Sequence, residues 1–140
     1  MVLTTALIAT SAMTIFSYIV SGSFNKLYKE PVLLQYVFCR LGLTPRKSVI
    51  TAIAWLVHYA VGWLFVAGFA WSMRILSFAA NWKSGLVFGT VIGLIGIAGW
   101  AVMFRLGRPA ETDKSGYYAQ LFIAHHIFAC ATIWMFKLLG

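Results

Sequence analysis

Three histidines are the residues of this sequence whose type and position could do chemistry inside a membrane: His58, His125 and His126. Each lies within a long apolar stretch. An ionisable side chain in such a stretch is by default a candidate functional residue, because a charge is costly in hydrocarbon. Imidazole also titrates near neutral pH, forms hydrogen bonds, and ligates metals and haem.

The histidines are expected at matching depths. His58 comes nine residues after Val49, near the start of one apolar stretch, and His125 comes eight after Tyr117, at the start of another. At about 1.5 Å of rise per residue, each lies about 12–14 Å along its helix. Successive spans alternate in direction, so these two run parallel. If they are neighbours, His58 can face His125 or His126.

Three roles remain open for these imidazoles. They could hydrogen-bond to hydroxyl groups and carbonyls and fix the bundle, each bond contributing about 0.6 kcal/mol. They could line the path of a small channel or carrier and pass protons. They could instead bind a b-type haem as axial ligands, His58 pairing with His125 or His126, while Gly62, one turn after His58, makes room.

Carboxylates and enzyme motifs give little support for other chemistry. The carboxylates, all outside the apolar stretches, are Glu30, Glu111 and Asp113. Their positions disfavour a carboxylate proton relay. The sequence has no metalloprotease helix, phosphate-binding loop or nucleophile elbow, so we do not expect an enzyme. His126 and Cys130 are one turn apart, but two ligands do not make a metal site.

The elements that position the histidines are membrane spans. Of the 140 residues, 61% are hydrophobic and 10% are charged, and the mean hydropathy is +0.86. A soluble domain carries about a quarter charged residues. We predict one transmembrane domain over residues 1–140, an all-α bundle of four spans. They cover about 2–20, 48–74, 85–104 and 117–138, with a short interfacial helix at about 31–41.

The third span contains a run of glycines. Their steps of three and four residues place them on one side of a helix, where a second helix can approach closely. They are Gly85, Gly89, Gly93, Gly96 and Gly99. Together with the small residues of the first span, they favour a structural or interaction subunit of a homo-oligomer or a larger membrane complex. This is the leading functional prediction.

The basic residues predict topology rather than nucleic-acid binding. Eight of the 11 Lys and Arg residues lie in the first and third connections, and three lie elsewhere. The positive-inside rule then places both termini outside the cytoplasm. We expect a protein of a bacterial inner membrane, with the lipid bilayer and other membrane subunits or further copies as partners. The first span precedes every basic residue, which favours a retained span over a signal peptide.

Overall fold

The computed structural model describes residues 1–43, 45–109 and 112–139 of the chain. These residues form α-helices and no strands. The five helices are α1 (Val2–Phe24), α2 (Glu30–Arg40), α3 (Lys47–Leu76), α4 (Trp82–Leu106) and α5 (Lys114–Leu139). All but α2 are long and apolar enough to cross a membrane. The prediction of an all-helical protein with four candidate spans is therefore confirmed, whereas an interfacial position for α2 stays a prediction.

Local chemistry explains where several helices begin and end. Asn25 follows α1 in the left-handed conformation, with φ 51°, which asparagine tolerates better than most residues. Asn81 and Ser84 form a reciprocal capping box at the start of α4. Asp113 precedes α5, and its Oδ1 accepts the Gly116 N–H at 3.1 Å. The sequence Thr44-Pro45 predicts a cap and a first-turn proline for the second span, and Thr44 lies outside the described residues.

The long helices do not form a closed ring. α5 packs against both α1 and α4, α1 also packs against α3, and α2 packs against α3 and to a smaller extent α4. Among the described residues, the consecutive helices α3 and α4 share no extensive contact. The order around the bundle is therefore α3, α1, α5, α4, with an opening that we call the α3–α4 gap.

Two apolar clusters hold this arrangement together. One joins the long helices, and in it the Phe69 ring of α3 lies 4.5 Å from the Phe88 ring of α4, centroid to centroid. The other gathers around α2, where Leu33 and Val37 pack with Trp100 of α4. Because α2 buries one apolar side in this second cluster, it closes one end of the bundle.

The glycine run of α4 faces α5. A methyl group built on Gly89 would lie 3.2 Å from the backbone Cα of His126, and similar crowding is found at three more positions. The glycines that face α5 are Gly85, Gly89, Gly93 and Gly96, whereas Gly99 has nothing within 4 Å. These four thus lie against a helix of the same chain. The glycine run therefore no longer supports a partner subunit, and the partner subunit stays a prediction.

Candidate intramembrane cavity

A cavity of about 250 Å³ lies within the bundle, and every helix contributes to its wall. We call it the central cavity. Its polar lining comes from α2, α3 and α5, and most of the remaining wall is apolar. Val61, Ile95 and Gly99 line the cavity and are also exposed on the outer surface, so it opens into the α3–α4 gap. Its ionisable lining residues are Glu30, His58 and His125.

His58 is a buried residue of α3 whose ring is fixed by α1. Its Nε2 lies 2.9 Å from Thr14 Oγ1, and the Thr14 hydroxyl donates its own hydrogen to the Thr10 carbonyl at 2.7 Å. The Thr14 oxygen is thus left to accept from His58 Nε2–H. This hydrogen-bond pattern assigns the neutral tautomer that carries its proton on Nε2 and leaves Nδ1 as a proton acceptor.

His125 has the opposite arrangement. Its Nδ1 lies 2.8 Å from the Leu121 carbonyl oxygen, so Nδ1 is the donor and Nε2 is the acceptor. The ring rests over Gly96 of α4: a methyl group built there would lie 3.0 Å from His125 Nε2. The glycine therefore makes room for the imidazole, and Nε2 makes no hydrogen bond to the described part of the chain. His125 can accept a proton from within the cavity.

His126 lies apart from the cavity. Its Nδ1 is 2.9 Å from the Phe122 carbonyl oxygen, and its Nε2 is 3.2 Å from Thr90 Oγ1 of α4. Nδ1–H thus donates to the backbone of α5. The Thr90 hydroxyl, which also lies 3.0 Å from the Leu86 carbonyl oxygen, can donate to Nε2 and so connect α5 to α4. The structure brings His58 and His125 to one cavity and assigns His126 a place in helix packing.

Glu30 is the functional candidate that sequence reasoning missed. It opens α2, is 2% exposed and lines the central cavity. The Ser17 hydroxyl donates to its Oε1 at 2.8 Å, and Gln120 Nε2 donates to Ser17 Oγ at 2.6 Å. The available signal was the sequence Glu30-Pro31 at the head of an apolar helix. Glu30 does lie outside the four candidate spans, as the sequence indicates, but α2 carries it into the bundle, where it is buried.

Burial controls the protonation of Glu30. Loss of water around the carboxylate raises the pKa of Glu30 to about 7, against opposing hydrogen bonds from its own backbone N–H, Ser17 and Gln120. The cavity lining contains no Lys or Arg. The nearest lysine in sequence, Lys29, has its Nζ 4.9 Å from the Tyr18 ring centroid. At neutral pH the carboxyl group is therefore protonated to a far greater extent than an exposed glutamate.

Several buried oxygen atoms around Glu30 have no hydrogen-bond partner within the described residues. They are Glu30 Oε2, Gln120 Oε1 and the Tyr117 hydroxyl. Tyr117 and Gln120 are three residues apart on α5 and share a face of that helix. A buried polar atom without a partner costs about 1–3 kcal/mol, so this end of the cavity favours a bound water, proton or cation.

The central cavity fits a metal ion or a haem poorly. Within the described ranges there is no group of three or more His, Cys, Asp or Glu side chains placed to hold a metal ion. The cavity of about 250 Å³ is smaller than the usual cofactor pocket of about 300–1,000 Å³. A haem ligated by His58 Nε2 would also displace the bond to Thr14.

Comparisons with family models, curated proteins and solved structures found no match to this chain. Chemically, the cavity offers two imidazoles with one unprotonated nitrogen each and one carboxyl group that titrates near neutral pH. Such groups can accept, hold and release protons in an otherwise apolar enclosure.

Proposed function

We propose that the protein is a small membrane carrier that binds and moves protons through the central cavity. One observation supports this above all: His58 and His125 line the same cavity as the buried carboxyl group of Glu30. Ionisable groups facing the interior of a membrane bundle mark proton and substrate paths. The histidine pair that was predicted to lie near such a path is joined by a carboxylate that the sequence did not reveal.

A carrier fits the cavity better than an open channel does. Glu30 lies at the α2 end, and the two imidazoles offer their unprotonated nitrogens, Nδ1 of His58 and Nε2 of His125. Beyond the cavity, towards the other end of the bundle, Phe69 packs against Phe88 and Phe136 in a dry aromatic cluster. Protons therefore need a conformational change to complete the passage.

Proton flux into liposomes tests the proposal. The purified protein is reconstituted with a pH-sensitive dye inside, and a potassium diffusion potential drives protons inward. We expect flux well above that of empty liposomes, and a loss of tenfold or more in His58→Gln and in His125→Gln. His126→Gln is the matched control, because His126 lies outside the cavity. Wild-type flux equal to that of empty liposomes, or an equal loss in the control, would contradict the proposal.

Haem binding is the second candidate. It is favoured by two histidines on separate helices that line one largely apolar cavity, with Gly62 and Gly96 beside them. An absorption spectrum of protein expressed with ample haem precursor tests it, before and after dithionite reduction. A Soret band that His58→Gln abolishes and His126→Gln retains would support haem ligation. A spectrum with the aromatic band alone excludes it.

A further inference from the structure

The Glu30 carboxylate has no cationic partner among the described residues, although it is buried. A buried charge is normally paired or neutralised by a proton, because its desolvation costs several kcal/mol. The groups near it are Ser17 and Tyr18 on α1 and Tyr117 and Gln120 on α5, and the other ionisable residues of the cavity wall are His58 on α3 and His125 on α5. α4 contributes Trp100 and no charge. Glu30 Oε2, which is buried and has no hydrogen-bond partner among the described residues, is thus an uncompensated negative group in the cavity wall that a positively charged ligand would balance.

The rest of the cavity wall suits a cation with an apolar body. Trp100 of α4, Phe65 of α3 and Phe128 of α5 present aromatic rings, and Leu121 and Met103 present aliphatic surface. Aromatic faces attract cations, tryptophan most strongly, and quaternary ammonium groups are typical ligands of such rings. A carboxylate beside aromatic rings in a mostly apolar wall is unsuited to a hydrated inorganic ion and suited to an alkylammonium ion.

The α3–α4 gap gives such a ligand a way in. Val61 of α3 and Ile95 of α4 line the cavity and face the outside, so the opening lies on the side of the bundle. An amphipathic organic cation concentrates in the membrane by inserting its apolar part, and it can reach this opening from the bilayer without crossing the α2 end.

From the unpaired carboxylate, the aromatic wall and the lateral opening, we infer that the central cavity binds a small organic monocation of the quaternary or alkyl ammonium class, with Glu30 as its counter-ion. This inference rests on the proposed carrier and names its substrate class. Binding requires the ionised carboxylate. When Glu30 is protonated, the arriving cation displaces that proton to water, so cation and proton compete for one site.

Calorimetric titration of the detergent-solubilised protein tests the inference, with choline as the probe. At pH 8 we expect saturable binding, weakened at least tenfold at pH 5. Near pH 7 the heat should vary with the ionisation enthalpy of the buffer, which reports the released proton. Neohexanol, the uncharged carbon isostere of choline, should bind at least tenfold more weakly. Equal binding of the isostere, or binding that is the same at both pH values, would overturn the inference.

Variants distinguish the effect of the Glu30 charge on binding from an effect on folding. Glu30→Gln should lose choline binding, Glu30→Asp should retain part of it, and His126→Gln should keep all of it. Circular dichroism establishes which variants fold, and if Glu30→Gln does not, the pH series on the wild type still decides. Unchanged binding in folded Glu30→Gln would overturn the inference. The titration measures choline binding and does not depend on proton flux. Choline binding can therefore be absent while proton transport by His58 and His125 is observed, and proton transport can be absent while choline binds.

Discussion

Glu30 shows how a residue can acquire its chemistry from helices that are distant in sequence. It belongs to a short helix outside the four candidate spans, and its partners Ser17 and Gln120 come from α1 and α5. The depth of the histidines could be estimated from sequence because it depends only on counting along a helix. The burial of Glu30 could not, because it depends on how α2 packs against three other helices.

The pH dependence of stability should report Glu30. Its pKa rises from 4.5 to about 7 on folding, so the folded state holds this proton more tightly than the unfolded chain does. The contribution of Glu30 to stability is therefore fully present below about pH 4.5 and is lost as pH rises through 7, a change on the order of 3 kcal/mol. In Glu30→Gln this fall should disappear, as measured by thermal unfolding in detergent between pH 4 and pH 8.

Asp113→Asn provides a contrasting variant for that measurement. Hydrogen bonds from the Gly116 N–H and the Tyr28 hydroxyl lower the pKa of Asp113. Its contribution to stability is therefore present above the ordinary aspartate pKa and is lost as pH falls. Asp113→Asn should therefore leave unchanged the loss of stability that is expected as pH rises towards 8. A decline that persists in Glu30→Gln would assign it to another group.

At the scale of helices, α4 is organised by its glycines. Their spacing predicts a close helix contact, and the structure places four of the five against α5. The identity of the contacting helix could not be read from α4, because small residues allow close approach to any helix without specifying one. Gly96 has a further effect, since its missing side chain is what admits the His125 ring to the cavity wall.

Leucine substitutions should distinguish the glycines of α4 that pack against α5 from Gly99, which does not. Gly89→Leu places a side chain against the His126 backbone, which cannot move aside, so we expect a loss of about 1–3 kcal/mol in the free energy of unfolding. Gly99→Leu meets nothing within 4 Å and should change stability by less than half as much. Denaturation in mixed micelles measures both. Leucine is a better helix former than glycine, so helix propensity favours both variants. An equal loss in both would therefore contradict the assignment of the cost to the α4–α5 contact.

For the whole molecule, composition predicts four apolar helices, and their approximate extents follow from hydrophobicity and flanking charges. The packing order of the helices and the α3–α4 gap could not be predicted in this way, since all four candidate spans are similarly apolar. The orientation in the membrane is predicted from the distribution of Lys and Arg over the whole chain and stays a prediction.

Cys39 offers a test of that orientation. It is an exposed thiol in α2, which the charge distribution places on the cytoplasmic side, and the other cysteine, Cys130, is removed by Cys130→Ser. A membrane-impermeant maleimide added to intact spheroplasts should leave Cys39 unmodified, and permeabilisation should allow labelling. Full labelling of intact spheroplasts would reverse the assigned orientation.

The central place of α5 has a consequence for the biosynthesis of the chain. Half of its most apolar window is buried, more than in any other candidate span, and it is the helix that contacts both α1 and α4. It is also the last of the five to leave the ribosome. Until it is inserted, Ser17 of α1 lacks its hydrogen bond from Gln120, and α4 exposes the glycines that pack against α5. The nascent protein therefore passes through a stage in which the earlier helices are in the membrane but the core has not formed. At this stage its unpacked surfaces are accessible to a chaperone or protease.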